Sequence, residues 1–379
     1  MAGGGERLRR ALRAPGRLFG ALARRVGGAS PVLPERPREI PVLVLFPHGG
    51  CNCRCVMCDI WRAGGDGREL AEADLAPHLD ALRRLGVRRL ALSGGEPLLH
   101  ADLWRLCAAL EPLGLEISLL TTGLLCEEQA ADVVRWCDDV IVSLDGPPEI
   151  HDAIRRVPGA FDRMAAGVAA LRRLDRGFRI TARSVVQKRN FRCLGATVEA
   201  AAEIGLDGIS FLAVDTTTDA FNRAGGRDDG RTAELGLDRD EAAELATIVE
   251  EVIRDHEARF SAGFVAESPT KLRGLARHFA SVNGGLAPEP RRCNAPWVSA
   301  VVEADGTVRP CFFHRPLGTL ADGPLDTVLL GEVAAAFRRS LDVSRDPVCR
   351  HCVCTLWLEP EGPAQQRDGG RDRPGSPPR

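Results

Sequence analysis

Cysteine placement is the strongest chemical signal in this chain. Four cysteines, Cys51, Cys53, Cys55 and Cys58, fall within eight residues, and Cys349, Cys352 and Cys354 fall within six. Crowding of this kind suits metal ligation better than a disulfide framework, and a cytoplasmic location, which we expect, would keep the thiols reduced. Cys51, Cys55 and Cys58 have the spacing C-x3-C-x2-C and directly follow an apolar run, Val42–Phe46. Three thiolates on one tight loop can hold three irons of a [4Fe-4S] cluster, where four cysteines normally close one. The fourth iron then stays open to a ligand. C-x2-C loops also hold zinc, so a zinc site is the competing assignment.

Two other sets accompany this loop. Ser93-Gly94-Gly95-Glu96-Pro97 follows the second apolar run; its glycines let backbone approach a ligand, and its carboxylate matches an ammonium group. Further on, Cys293 and Cys311 bracket an apolar segment, with Gly306 shortly before Cys311. Together with Cys349 and Cys352 they supply four thiolates, enough for one closed cluster, with Cys354 as an alternative fourth ligand. A structural zinc ribbon is the alternative there. Cys107, Cys126, Cys137 and Cys193 are scattered and read as small buried apolar residues.

The elements that must position these groups alternate regularly. Strands are expected at Val42–Phe46, Arg89–Leu92, Leu115–Leu120, Val140–Leu144, Phe178–Val186 and Gly208–Val214. Helices are expected between them, at Glu69–Leu85, Ala101–Leu110, Glu127–Trp136, Phe161–Leu174 and Leu194–Ile204. Six βα-type repeats predict an α/β fold with a parallel sheet, too few for a closed eight-fold barrel and enough for a partial one. Chemistry in such folds sits at the C-terminal ends of the strands, where the cysteine loop and the Gly-Gly-Glu turn both lie. The expected organisation is a basic, Pro-rich leader over 1–38, a partial barrel over 39–237, a helical connection over 238–290, a cysteine-bearing module over 291–358 and a disordered tail over 359–379. Residues 215–237 read as a loop or lid, Asp238–Phe260 as one long helix, and Val298–Val302 with Thr307–Arg309 as a hairpin turning at Asp305-Gly306.

Composition closes off other classes. With 379 residues, 44% hydrophobic content and a net charge of −2, the chain can bury a large core and has no global attraction for nucleic acid. No apolar run is long enough to span a membrane. Residues Arg7–Val26 could form a basic amphipathic helix touching a membrane or a partner.

The run Cys51-Asn52-Cys53-Arg54-Cys55-Val56-Met57-Cys58 resembles the signature of the radical SAM superfamily, and Gly94-Gly95-Glu96-Pro97 resembles that family's GGEP motif. The resemblance implies a partial (βα)6 barrel whose open iron chelates S-adenosylmethionine and cleaves it to a 5′-deoxyadenosyl radical. It implies Cys51, Cys55 and Cys58 as cluster ligands, with Cys53 outside the set. Gly94, Gly95 and Glu96 would meet the amino group of S-adenosylmethionine, and Thr122, Ser143 and Asp145 would line the nucleoside and substrate side. Arg183 could pair with the ligand's carboxylate through its planar fork, or serve an ion pair. His151-Asp152-x-Ile154-Arg155 matches related enzymes and would brace the loop. The family usually places an aromatic residue before the third cysteine; here Met57 stands there, apolar and polarizable enough to pack.

The pattern C-x12-G-x4-C over Cys293–Cys311 resembles the start of a SPASM domain. The short ending at Cys354 implies one auxiliary [4Fe-4S] cluster, as in the twitch form. Relatives of this kind often modify ribosomally made peptides; small metabolites are the second substrate class. An electron donor of the flavodoxin or ferredoxin type is implied as a partner.

Overall fold

Nine strands form one continuous sheet in the order β6-β5-β4-β3-β2-β1-β7-β8-β9. The computed structural model describes residues 33–63, 67–221 and 229–359. Strands β1 (Val42–Leu45), β2 (Arg89–Leu92), β3 (Glu116–Thr121), β4 (Asp139–Ser143), β5 (Arg179–Val186) and β6 (Gly208–Ala213) pair in parallel with their neighbours in chain order. β1, β2 and β4 are short, almost wholly buried runs rich in Val, Ile and Leu, whereas β5 alternates buried and partly exposed residues along its length. The expected six-unit partial barrel is therefore present, and all six strands deliver their following loops to one end.

Helices cover the outside because their apolar residues recur at helical spacing. Ala160–Leu174 buries Met164, Val168 and Leu171 against the sheet. Each such side chain contributes about 1.5–3 kcal/mol on burial. The expected helix over 69–85 is broken into Glu72–Leu75, a 3-10 turn Ala76–His78 and Leu79–Arg84, since Pro77 lacks the N–H that a continuous helix needs.

Three expectations are corrected. The segment 238–290 is the expected helical connection, but the single long helix expected over Asp238–Phe260 is divided. Its helix stops at Asp255, resumes over Glu257–Ser261, and is followed by Pro269–Val282. Residues 264–267 run along β6: Ile209 pairs with Val265, and the Phe211 amide donates to Glu267 Oε2 at 2.9 Å. This segment caps the sheet edge, where unpaired backbone would otherwise be exposed. Second, residues 33–38 are anchored rather than loose. Arg36 pairs with Glu332 at 2.8 Å and Glu35 with Arg339 at 2.9 Å, while buried Arg338 donates to the carbonyls of Pro296 and Leu329. Third, the span 215–237 contains a helix, Asp229–Leu235.

The C-terminal module extends the same sheet. Strand β7 (Ser299–Val302) lies parallel to β1, with Leu45 opposite Val302. Strands β8 (Thr307–Arg309) and β9 (Gly318–Thr319) follow antiparallel. The β7–β8 turn is the expected hairpin, and Gly306 takes the left-handed conformation with φ +82°. Residues 356–358 return against 292–294: the Asn294 amide donates to the Leu356 carbonyl, and the Leu358 amide to Asn294 Oδ1. No helix among the described residues is long and apolar enough to cross a membrane. The basic stretch Arg7–Val26 and the tail beyond Glu359 lie outside the described residues.

Candidate active site and cysteine centres

The cysteine loop is clamped from three sides before any ligand is considered. Gly50 O accepts from the Glu96 amide at 2.9 Å, and the Arg54 and Val56 amides donate to the carbonyls of Arg155 and Ile154 at 3.1 and 3.0 Å. Thr122 Oγ1 donates to Asn52 Oδ1 at 3.0 Å. The loops after β2 and β3 and the helix Pro148–Arg155 therefore fix it together. Gly94, with φ +105°, leaves no room for a side chain: a Cβ would stand 2.6 Å from the Phe46 ring. A Cβ on Gly95 would fall on the carbonyl oxygen of Gly50.

One cavity of about 370 Å³ collects the groups. Cys51, Cys55 and Cys58 line it, as do Gly94, Gly95, Thr122, Ser143 and Arg183. Met57 lines it too, at the position where the resemblance expects an aromatic ring. The C-terminal cysteines Cys293, Cys311, Cys349, Cys352 and Cys354 line the same cavity. Four phenylalanines form an apolar wall of this cavity. Phe312 lies 5.5 Å from Phe46 and 4.9 Å from Phe221 between ring centroids, and Phe313 packs on both Phe221 and Phe312.

Cys53 is placed apart. It is buried and does not line the cavity. Hydrogen bonds with the Cys51 and Cys55 sulfurs, together with burial, push its thiol well above the ordinary cysteine range, so it keeps its proton. Cys55 is drawn the other way, below the ordinary cysteine range, by the hydrogen bond from Cys53 and by the Arg155 cation. Arg155 Nη1 stands 3.6 Å from Cys55 Sγ.

Glu96 departs from expectation. Its side chain is wholly buried and outside the cavity lining. Its carboxylate accepts from Thr121 Oγ1 at 2.7 Å, from the Thr122 amide at 2.7 Å and from the Leu98 amide at 3.1 Å. These three protein donors make it join β2 to β3. Asp145 is likewise structural: it is fully buried and pairs with Arg155 at 2.6 Å. Arg183 Nε donates to Ser210 Oγ at 3.3 Å while its side chain reaches the cavity.

The donor sets fit iron–sulfur clusters better than single ions. A tetrahedral zinc with Zn–S near 2.3 Å needs sulfurs about 3.8 Å apart. Among the described residues, no three cysteine sulfurs of either set come within 4.8 Å of one another; the only compact group is His314, Asp346 and Cys349. Burial holds the Cys58 and Cys311 thiols up at about 12, so their deprotonation requires a cation such as cluster iron.

Sequence reasoning passed over Asn52, the phenylalanine wall and His314, whose Nε2 lies 3.3 Å from Cys349 Sγ. It quoted Arg155 only as part of a bracing motif.

Comparison with known proteins agrees with this geometry. Residues 45–219 match the radical SAM superfamily, and residues 293–353 match the SPASM iron–sulfur cluster-binding domain. An AdoMet-dependent heme synthase of Methanosarcina barkeri is 34% identical over 160 residues, 41% of this chain and 45% of that protein. The chain thus spans under half the length of that relative. A PqqA peptide cyclase of Ruegeria pomeroyi is 29% identical over 337 residues, 86% of this chain and 82% of that protein. In fold, the chain resembles SuiB of Streptococcus suis bound to its precursor peptide SuiA, with TM-score 0.59 and 16% identity, covering 84% of this chain and 72% of that one. It also resembles anSMEcpe with bound AdoMet, with TM-score 0.61 and 18% identity, covering 80% and 84%.

Proposed function

The chain belongs to the radical SAM superfamily and carries a C-terminal SPASM domain, and from that premise we propose that it modifies a ribosomally made peptide by radical chemistry. The observation that carries this reading is the single cavity lined by both cysteine sets, so that a substrate entering it meets both centres. When bound, a reduced four-iron cluster with an open iron supplies the electron that cleaves S-adenosylmethionine, giving a 5′-deoxyadenosyl radical that takes hydrogen from the substrate.

The chain's own residues bind and shield. Cys51, Cys55 and Cys58 hold the open cluster, and Cys293, Cys311, Cys349 and Cys352 close the auxiliary one. Gly94 and Gly95 present backbone to the amino group of S-adenosylmethionine at a point where a Cβ would intrude. Thr122 and Ser143 offer hydroxyls to the nucleoside, Met57 packs on the adenine, and Arg183 faces the carboxylate as a cation. The phenylalanine wall excludes water from the space between the centres, which limits side reactions of a radical. An external one-electron donor of the flavodoxin or ferredoxin class reduces the open cluster.

A peptide is favoured over a small metabolite by length of likeness. The match to the peptide cyclase runs through both modules, whereas the match to the heme synthase covers less than half of either protein. The test is anaerobic incubation of the iron-loaded protein with S-adenosylmethionine, dithionite and any short peptide found encoded beside its gene. We expect a changed peptide mass in step with 5′-deoxyadenosine. An unchanged peptide, with turnover of a small metabolite instead, would overturn the peptide reading.

A further inference from the structure

We infer that Arg155 is a positioning residue that sets the reduction potential of the barrel cluster, with Asp145 opposing it. The inference rests on the reading that Cys51, Cys55 and Cys58 hold that cluster.

The geometry is specific. Arg155 sits at the C-terminal end of the helix Pro148–Arg155, buried, and touches the cysteine loop twice. Its carbonyl accepts from the Arg54 amide at 3.1 Å. Its guanidinium presents Nη1 to Cys55 Sγ at 3.6 Å and Nη2 to Asp145 Oδ2 at 2.6 Å. The remaining donor, Nε, is buried with no acceptor among the described residues. An unpaired buried N–H is costly unless something accepts it. It belongs to a side chain lining the cavity beside three cluster thiols, so a cluster sulfur is the acceptor the site would supply. A lysine could not serve these three directions at once, because only the guanidinium carries a planar fork.

Asp145 is fixed independently of the arginine. Its Oδ1 accepts from the Val185 amide at 3.0 Å, its carbonyl from Asn190 Nδ2 at 2.8 Å, and its own amide donates to His151 Nδ1 at 3.2 Å. The cation therefore lies between a sulfur ligand and a fixed carboxylate. Reduction adds one electron from the external donor to the cluster. A buried cation stabilises that added charge, and a buried carboxylate behind it opposes it. The two residues must then shift the potential in opposite directions. A purely structural pair would not do this: breaking it from either side would only loosen the loop.

The test is an EPR-monitored redox titration of the iron-loaded protein. The barrel cluster is identified as the signal that changes when S-adenosylmethionine is added. Arg155→Met should make it about tenfold harder to reduce, about 59 mV lower for a one-electron couple. Arg155→Lys, which keeps the charge, should shift it less. Asp145→Asn should raise it. Should Arg155→Met fail to take up iron, the sign for Asp145→Asn decides. A potential unchanged in Arg155→Met at full iron content, or unchanged or lowered in Asp145→Asn, overturns the inference. If the unaltered protein has no signal responsive to S-adenosylmethionine, the cluster reading itself fails.

Discussion

The amide of Glu96 is bonded to the carbonyl of Gly50 at 2.9 Å, and this one hydrogen bond joins the Gly-Gly-Glu turn to the loop that carries the cysteines. The contact exists only because position 95 has no side chain. Gly95→Ala would place a methyl group on that carbonyl and force the two loops apart. Overpacking of this kind costs about 1–3 kcal/mol, or more where backbone must move. We expect the variant to lose the barrel iron while the C-terminal centre keeps its own. Iron content with urea denaturation checks this; full iron at unaltered stability would show that the loops can part without harm.

Glu96→Gln should act on stability more than on ligand binding. The amide Nε2 of glutamine would face donors where the carboxylate now accepts from Thr121, Thr122 and Leu98. A buried mismatch of this kind costs about 1–3 kcal/mol. Equilibrium dialysis of the iron-loaded variant should return an S-adenosylmethionine affinity close to the unaltered protein's. A tenfold loss of affinity at unchanged stability would restore the ammonium role to this carboxylate.

Cysteine replacements should separate into two groups. Cys53→Ala should keep its iron, because that thiol is buried off the cavity. Cys51→Ala, Cys55→Ala or Cys58→Ala should each lose about four irons, one whole cluster. In the second centre, Cys352→Ala should lose a cluster yet still release 5′-deoxyadenosine, uncoupled from product. Cys354→Ala should do little. Both side chains line the cavity, and the Cys352 thiol donates to the Cys354 carbonyl at 3.0 Å, so iron counts on the two single variants settle which is the ligand.

Acid should destabilise the fold through His278. This imidazole is buried on the helix Pro269–Val282, its Nδ1 lies 3.2 Å from Arg291 Nη2, and His351 is nearby. Burial, then the Arg291 charge, pushes it from its ordinary 6.5 down to about 3. The unfolded chain therefore binds the extra proton first. Stability is full above pH 6.5 and falls as pH drops from there toward about 3, by on the order of 4 kcal/mol at the limit. Urea midpoints between pH 7 and 4 should show this slope flattened in His278→Gln. An equal slope in that variant would place the acid sensitivity elsewhere.

Local order was legible in the chain itself. The spacing of Cys51, Cys55 and Cys58, the run Ser93–Pro97 and the six short apolar strands are each contiguous, so bond geometry and periodicity were enough to read them. Cys53, read outside the ligand set, is buried and does not line the cavity.

What the sequence left undecided depends on contacts between distant residues. That β7 lies beside β1, bringing Cys293 and Cys311 to the cavity of Cys51, comes from pairing Val42–Leu45 with Ser299–Val302. Nothing local in either strand encodes it. The direction of the Glu96 carboxylate is set by donors from Thr121 and Thr122 at the end of the next strand. The Arg155–Asp145 pair needed a helix end, a strand end and the cysteine loop to meet. A sequence states which groups are present and near one another along the chain; only the folded sheet decides which way each of them faces.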